Sequence, residues 1–176
     1  MRVIPLTLTA LAAALALTAC DNGGTSGSSG ASGAESKAGA SCAAGSVSLQ
    51  VGSASVAPAT GDSGQVPVSI TNQSAPCTLD HFPGVTLHQD GHTEKLPVQE
   101  GATAQKLKLA KGDSATFTID YVRGADAKGA KAATMEITLP GGGEPQSFPW
   151  KYGTVAAKAG KTTPDASVSA FQQAGD

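Results

Sequence analysis

Five residues within thirteen positions carry the imidazoles and carboxylates that hold transition metals: Asp80, His81, His88, Asp90 and His92, which include all three histidines of the chain. Imidazole and carboxylate are ordinary zinc and copper ligands, and a hairpin could gather them at one surface. The spacing tests that idea. If Asp90-Gly91 is a two-residue turn, Val85 faces Leu96 and Leu87 lies on the same apolar side, as burial requires. His88 then faces Thr93, His92 faces Gln89, and the two histidines point to opposite sides of the ribbon. A three-residue loop over Gln89-Asp90-Gly91 would set His88 opposite His92, but it would also turn Leu96 and Val98 outward. The register with buried leucines leaves solvated turn histidines, so no metal site is assigned. A zinc or copper domain drawing on His81, His88, His92, Asp80 and Asp90 stands as the alternative function.

Other chemistries have less to draw on. Neither a Gly-x-Ser-x-Gly elbow nor a Ser-x-x-Lys pair occurs, and no local pattern sets a base beside a nucleophile, so no catalytic residue is assigned and an enzyme is not expected. The stretch Phe148-Pro149-Trp150-Lys151-Tyr152 could stack on sugar faces. In a chain with one Trp, however, three aromatics on one strand face belong to the core. Lys106, Lys108 and Lys111 form a small basic stripe opposite Leu107 and Leu109, which reads as a solvated or protected strand edge. The formal net charge of -2 gives no electrostatic case for nucleic acid.

Cys20 carries a different chemistry. It closes a segment with one cation at Arg2, an apolar run through Leu6, Leu8, Leu11 and Leu15, and the ending Leu17-Thr18-Ala19. This run is too short to span a bilayer as a helix, and the chain turns polar at Asp21-Asn22-Gly23. Leu-x-Ala-Cys is similar to the bacterial lipobox, in which the Cys thiol receives diacylglycerol and the chain is cut before it. Residues 1–19 are therefore expected to be a lipoprotein signal peptide, with Cys20 as the lipid attachment. That places the rest of the chain at the extracytoplasmic face of the cell membrane, with the anchor as its membrane contact. Two cysteines then remain, Cys42 and Cys77, in a compartment where disulfides persist. They are expected to pair; two free thiols are the alternative, and mass measurement with and without reductant separates the two.

The positioning elements follow from pattern. Residues 20–41 are rich in Gly and Ser, with no apolar side chain larger than Ala, and read as a flexible linker with a root-mean-square span of roughly 25 Å. Past Cys42 the apolar residues alternate: Val47, Leu49 and Val51; Val66, Val68 and Ile70; Val85 and Leu87; Leu96 and Val98; Leu107 and Leu109. The same period continues at Phe117, Ile119 and Tyr121; Met135, Ile137 and Leu139; and Phe148, Trp150 and Tyr152. Turn signals separate these runs at Gly61 to Gly64, Asp90-Gly91, Lys111-Gly112-Asp113, Gly124 to Lys131 and Pro140 to Gly143. The expectation is an all-β, immunoglobulin-like sandwich of about seven or eight short antiparallel strands over residues 42–171, with a tail at 172–176. Ala166 to Phe171 could add an edge strand.

Asn72-Gln73-Ser74-Ala75-Pro76-Cys77-Thr78-Leu79-Asp80-His81-Phe82-Pro83-Gly84-Val85, followed by Leu107-Lys108-Leu109-Ala110-Lys111-Gly112-Asp113-Ser114-Ala115, resembles the signature of an actinobacterial secreted-lipoprotein family, domain of unknown function 4232. The resemblance covers Cys42 to the C-terminus and implies a lipobox, a tether and a β-sandwich. It transfers no activity and no cofactor. Family members often carry a further Cys on a late strand, whereas Tyr121 to Leu139 has none here. The function expected is a lipid-anchored, non-enzymatic binding module whose partner, in the cell wall or a protein, the residues do not name.

Overall fold

The computed structural model describes residues 39–53, 58–89, 91–126 and 129–175. The leader, Cys20 and most of the linker lie outside the described residues, as does Asp90. No helix among the described residues is long and apolar enough to cross a membrane.

The alternating runs become strands because alternate residues can be buried against a second sheet while their neighbours stay wet. In chain order these are β1 (Val47–Val51), β2 (Ser63–Asn72), β3 (Cys77–Leu79), β4 (Gly84–Gln89), β5 (His92–Lys95), β6 (Leu107–Leu109), β7 (Ser114–Val122), β8 (Ala132–Thr138), β9 (Gln146–Pro149), β10 (Ala166–Val168) and β11 (Gln172–Gln173). One sheet runs β1-β2-β7, with β10 and β11 along the far edge of β7; the other runs β5-β4-β8-β9. All these pairings are antiparallel. This is the immunoglobulin-like division into an A-B-E sheet and a C′-C-F-G sheet, with β10 and β11 beside β7 in the place of a D strand. A two-stranded pair, β3-β6, is added at one side.

The core lies between the two sheets. Val66, Val68 and Ile70 of β2 and Phe117, Ile119 and Tyr121 of β7 meet Val85 and Leu87 of β4 and Met135 and Ile137 of β8, all buried. Each such side chain contributes roughly 1.5–3 kcal/mol on burial. Pro67 sits inside β2, where a missing N–H would ordinarily break a ladder. Its carbonyl accepts from Gly52 N at 2.8 Å, so the missing donor faces Gly52 O, which accepts from the Tyr152 hydroxyl at 2.6 Å instead.

The β4–β5 hairpin has the expected register. Gln89 faces His92, His88 faces Thr93, and Leu96 N donates to Val85 O at 2.8 Å. Gly91 closes the turn at φ +76°, a conformation open to glycine.

Several details differ from the sequence expectation. The described residues form eleven strand segments rather than seven or eight, because β3 and the split edge β10/β11 are only two or three residues long. β3 is buried at all three positions and so carries no alternation to read. β9 stops at Pro149, leaving Trp150 and Tyr152 beyond the strand. Val98, expected inside, is 40% exposed, since the chain has left the sheet after Lys95 and only bridges Val168. Finally, the sheet continues past Phe171 into the segment expected as tail, where Gln172 and Gln173 pair with Thr116 and Ala115.

Candidate functional site

The two ends of the sandwich are built differently. At the base, Cys42 and Cys77 are disulfide-bonded, and the entering chain is stitched to β3 by Thr78 N to Ala40 O and Cys42 N to Thr78 O, both 2.9 Å. Antiparallel register then fixes the opposite end. Val47 and Asn72 lie at the base, while Val51, the start of β2 at Ser63 and the end of β7 at Val122 lie toward the tip.

A cleft of about 510 Å³ opens at that tip, lined by Val51, Gly52, Ser53, Tyr121, Arg123, Lys151, Tyr152 and Gly153. Its aromatic wall is ordered by packing. Trp150, the only tryptophan, meets Tyr121 and Tyr152 edge-on, at centroid distances of 5.3 and 5.0 Å. Each polar tip has a partner: Trp150 Nε1 donates to Gly153 O (2.6 Å), the Tyr121 hydroxyl to Tyr152 O (3.0 Å) and the Tyr152 hydroxyl to Gly52 O (2.6 Å). Burial pushes both phenols above the ordinary tyrosine value; the Arg123 charge partly offsets this for Tyr121, and Tyr121 adds to it for Tyr152.

Arg123 is held from beneath. Its Nη1 donates to Gly124 O (3.0 Å) and Thr154 O (3.1 Å), and Nη1 and Nη2 both reach Asp126 Oδ1 at 3.4 Å. Thr154 Oγ1 donates to the same Oδ1 at 2.8 Å. That bond, followed by the Arg123 charge, holds the Asp126 carboxyl below the usual aspartate value. Gly153 lies flat on the guanidinium at φ +81°, where a Cβ would come within 2.5 Å of Cζ; a side chain there would displace the arginine.

The histidines are dispersed. His88 lies on the outer face of the β4-β8 sheet, its Nε2 3.2 Å from Glu136 Oε2 but without hydrogen-bond alignment. His92 pairs across the hairpin with Gln89, one residue along, and so takes the opposite face. His81 sits in the β3–β4 loop at the base, 80% exposed, with φ +66° and its N–H donated to Asp80 Oδ1 at 2.8 Å. Among the described residues no three His, Cys, Asp or Glu side chains converge as a metal set. Lys106 reaches Asp80 at 3.8 Å, while Lys108 and Lys111 are exposed.

Sequence reasoning weighed Lys151 and Tyr152 within the aromatic stretch but missed Arg123. Only the strand-end position of that residue, after a buried Tyr121 and before Gly124, hinted at a role. The two stretches that carry the family resemblance meet elsewhere, at the base, around the buried side chain of Asn72, which bonds to Ala75, Leu109 and Ala110.

A family model, described as a domain of unknown function, matches residues 42–172. The chain belongs to domain of unknown function 4232. The match to this DUF4232 domain begins at the cysteine that opens the sandwich and ends within β11, so it takes in every other strand and the tip cleft. No curated protein and no solved structure matches the chain. Within the DUF4232 domain, the Asn72 region closes the base, while the tip gathers its cleft from three separate segments.

Proposed function

We propose that the protein is a lipid-anchored, extracytoplasmic, non-enzymatic binding module that presents its tip cleft away from the membrane. The observation that carries this reading is that chain entry and cleft lie at opposite ends of the sandwich. Cys42 is fixed at the base, and the sequence behind it runs through the Gly/Ser stretch to Cys20. A linker spanning roughly 25 Å lets the base face the bilayer while the tip stays free. The cleft lining supports a binding reading, since it sets the charged groups of Arg123 and Lys151 beside the Tyr152 ring.

The test has two parts on intact cells. The wild-type chain should partition with membranes and carry a lipid adduct by mass, and Cys20→Ser should abolish both; a wild-type chain without lipid overturns the anchor. A photo-crosslinking amino acid at position 151 should then give adducts that the same probe at the base position 111 does not. Equal or absent adducts at 151 overturn the tip as the binding surface.

A further inference from the structure

We infer that the tip cleft is a receptor for a small organic carboxylate, such as an acid sugar. This rests on the binding-module reading and adds the chemistry of the ligand.

The first observation is charge. Arg123 and Lys151 both line the cleft, and no Asp or Glu does among the described residues. Lys151 is exposed and makes no ion pair among them, so its ammonium is available to an anion.

The second observation is the way Arg123 is used. A guanidinium has five N–H donors: two in a fork between Nη1 and Nη2, two in a fork between Nε and Nη2, and one on the outer side of Nη1. Gly124 O, Thr154 O and Asp126 Oδ1 take the Nη1 donors and the Nη1/Nη2 fork. Among the described residues nothing takes the Nε/Nη2 fork. That side-on edge matches the two oxygens of a carboxylate in bidentate geometry. Gly153 covers the guanidinium face and the two carbonyls fix its end, so the free edge is oriented before a ligand arrives and little side-chain entropy is lost on binding.

The third observation is the wall. Tyr152 is half-buried and has spent its hydroxyl hydrogen on Gly52 O, so it offers ring surface to the body of a ligand, while the buried Tyr121, bonded to Tyr152 O, backs it from the core. The volume of about 510 Å³ suits a compact molecule of one or two rings.

Trp150 reports on this site directly, because it is the only tryptophan and touches both tyrosines. The full chain in non-ionic detergent is titrated with glucuronate, glucose and inorganic phosphate while Trp150 fluorescence is followed. Glucuronate should give a saturable change, and glucose and phosphate none over the same range. Lys151→Gln, an exposed change that leaves the fold intact, should weaken glucuronate about tenfold, the size of one charge-assisted hydrogen bond. Arg123→Lys, checked for native circular dichroism, should abolish the response, because an ammonium keeps the charge but loses the fork. Glucose or phosphate binding as well as glucuronate overturns the carboxylate assignment, as does glucuronate binding indifferent to both substitutions or no response at all. These failures would leave the crosslinking result at position 151 standing, so the ligand class and the module reading are judged separately.

Discussion

The side-chain amide of Asn72, fully buried at the end of β2, donates to the backbone carbonyl of Leu109 at 3.1 Å. The same amide reaches Ala75 O (2.9 Å) and Ala110 O (3.2 Å), and its oxygen accepts from Ser74 N (3.0 Å). The Asn72 backbone completes the knot, donating to Asp113 O and accepting from Gly112 N. One residue thus closes the β2–β3 loop onto the β6–β7 turn, joining the two motif stretches through a bond between residues 37 positions apart. Asn72→Ala should lower unfolding stability by roughly 2–4 kcal/mol, because it strands buried carbonyls and an N–H without partners. A denaturant midpoint within error of wild type would show that water replaces the amide.

The disulfide acts on the same end of the sandwich. Cys42 and Cys77 are 35 positions apart, and closing such a loop is worth about 4 kcal/mol on the chain-entropy estimate. Cys42→Ser with Cys77→Ser should therefore shift the denaturant midpoint at least as far as Asn72→Ala. Adding reductant to the wild type should reproduce the shift, while leaving the double variant unchanged. A reductant-insensitive wild type would contradict the pairing.

His88 and Glu136 make the opposite prediction. Both side chains are about one-third exposed, but His88 Nε2 itself is closed off from solvent and the contact lacks hydrogen-bond alignment, so the pair adds little to stability. His88→Gln should change stability by no more than about 0.5 kcal/mol. Calorimetric titration of the full chain with zinc or copper should give no saturable heat at micromolar metal, since His92 lies on the other face and His81 at the far end. A stoichiometric site lost in His88→Gln would reverse this.

What sequence could reveal divides along a physical line. The hairpin register was legible because one alternative buried Leu96 and the other exposed it, and a one-residue slip moves every side chain to the wrong face. The long strands β2 and β7 were legible for the same reason, while the pairing of Cys42 with Cys77 was legible from parity, two cysteines being left once Cys20 is assigned to lipid. β3 was not, because Cys77, Thr78 and Leu79 are all buried and show no period. Val98 misled because alternation continued in sequence after pairing had ended. The cleft was least legible of all. Its residues come from positions 51–53, 121–123 and 151–153, and only the antiparallel register that brings three strand ends to one tip makes them neighbours.

The tyrosines allow that tip to be tested by pH alone. Tyr121 and Tyr152 are the only tyrosines in the chain, and burial raises both above the ordinary value of 10.0. In the unfolded chain they ionise near that value, so the native state holds its phenolic protons to higher pH than the unfolded state does. Stability from this source is fully present below pH 10.0 and is lost as pH rises from there through the native values. Tyrosinate absorbance of the folded protein should therefore lag that of the protein in denaturant. Tyr152→Phe should remove one phenol from the delayed titration and, by leaving Gly52 O without its donor, lower stability by about 1 kcal/mol. Two phenols titrating together at the unfolded value would mean that the wall of the cleft is open to water, and the packing of Trp150 between them would have to be abandoned.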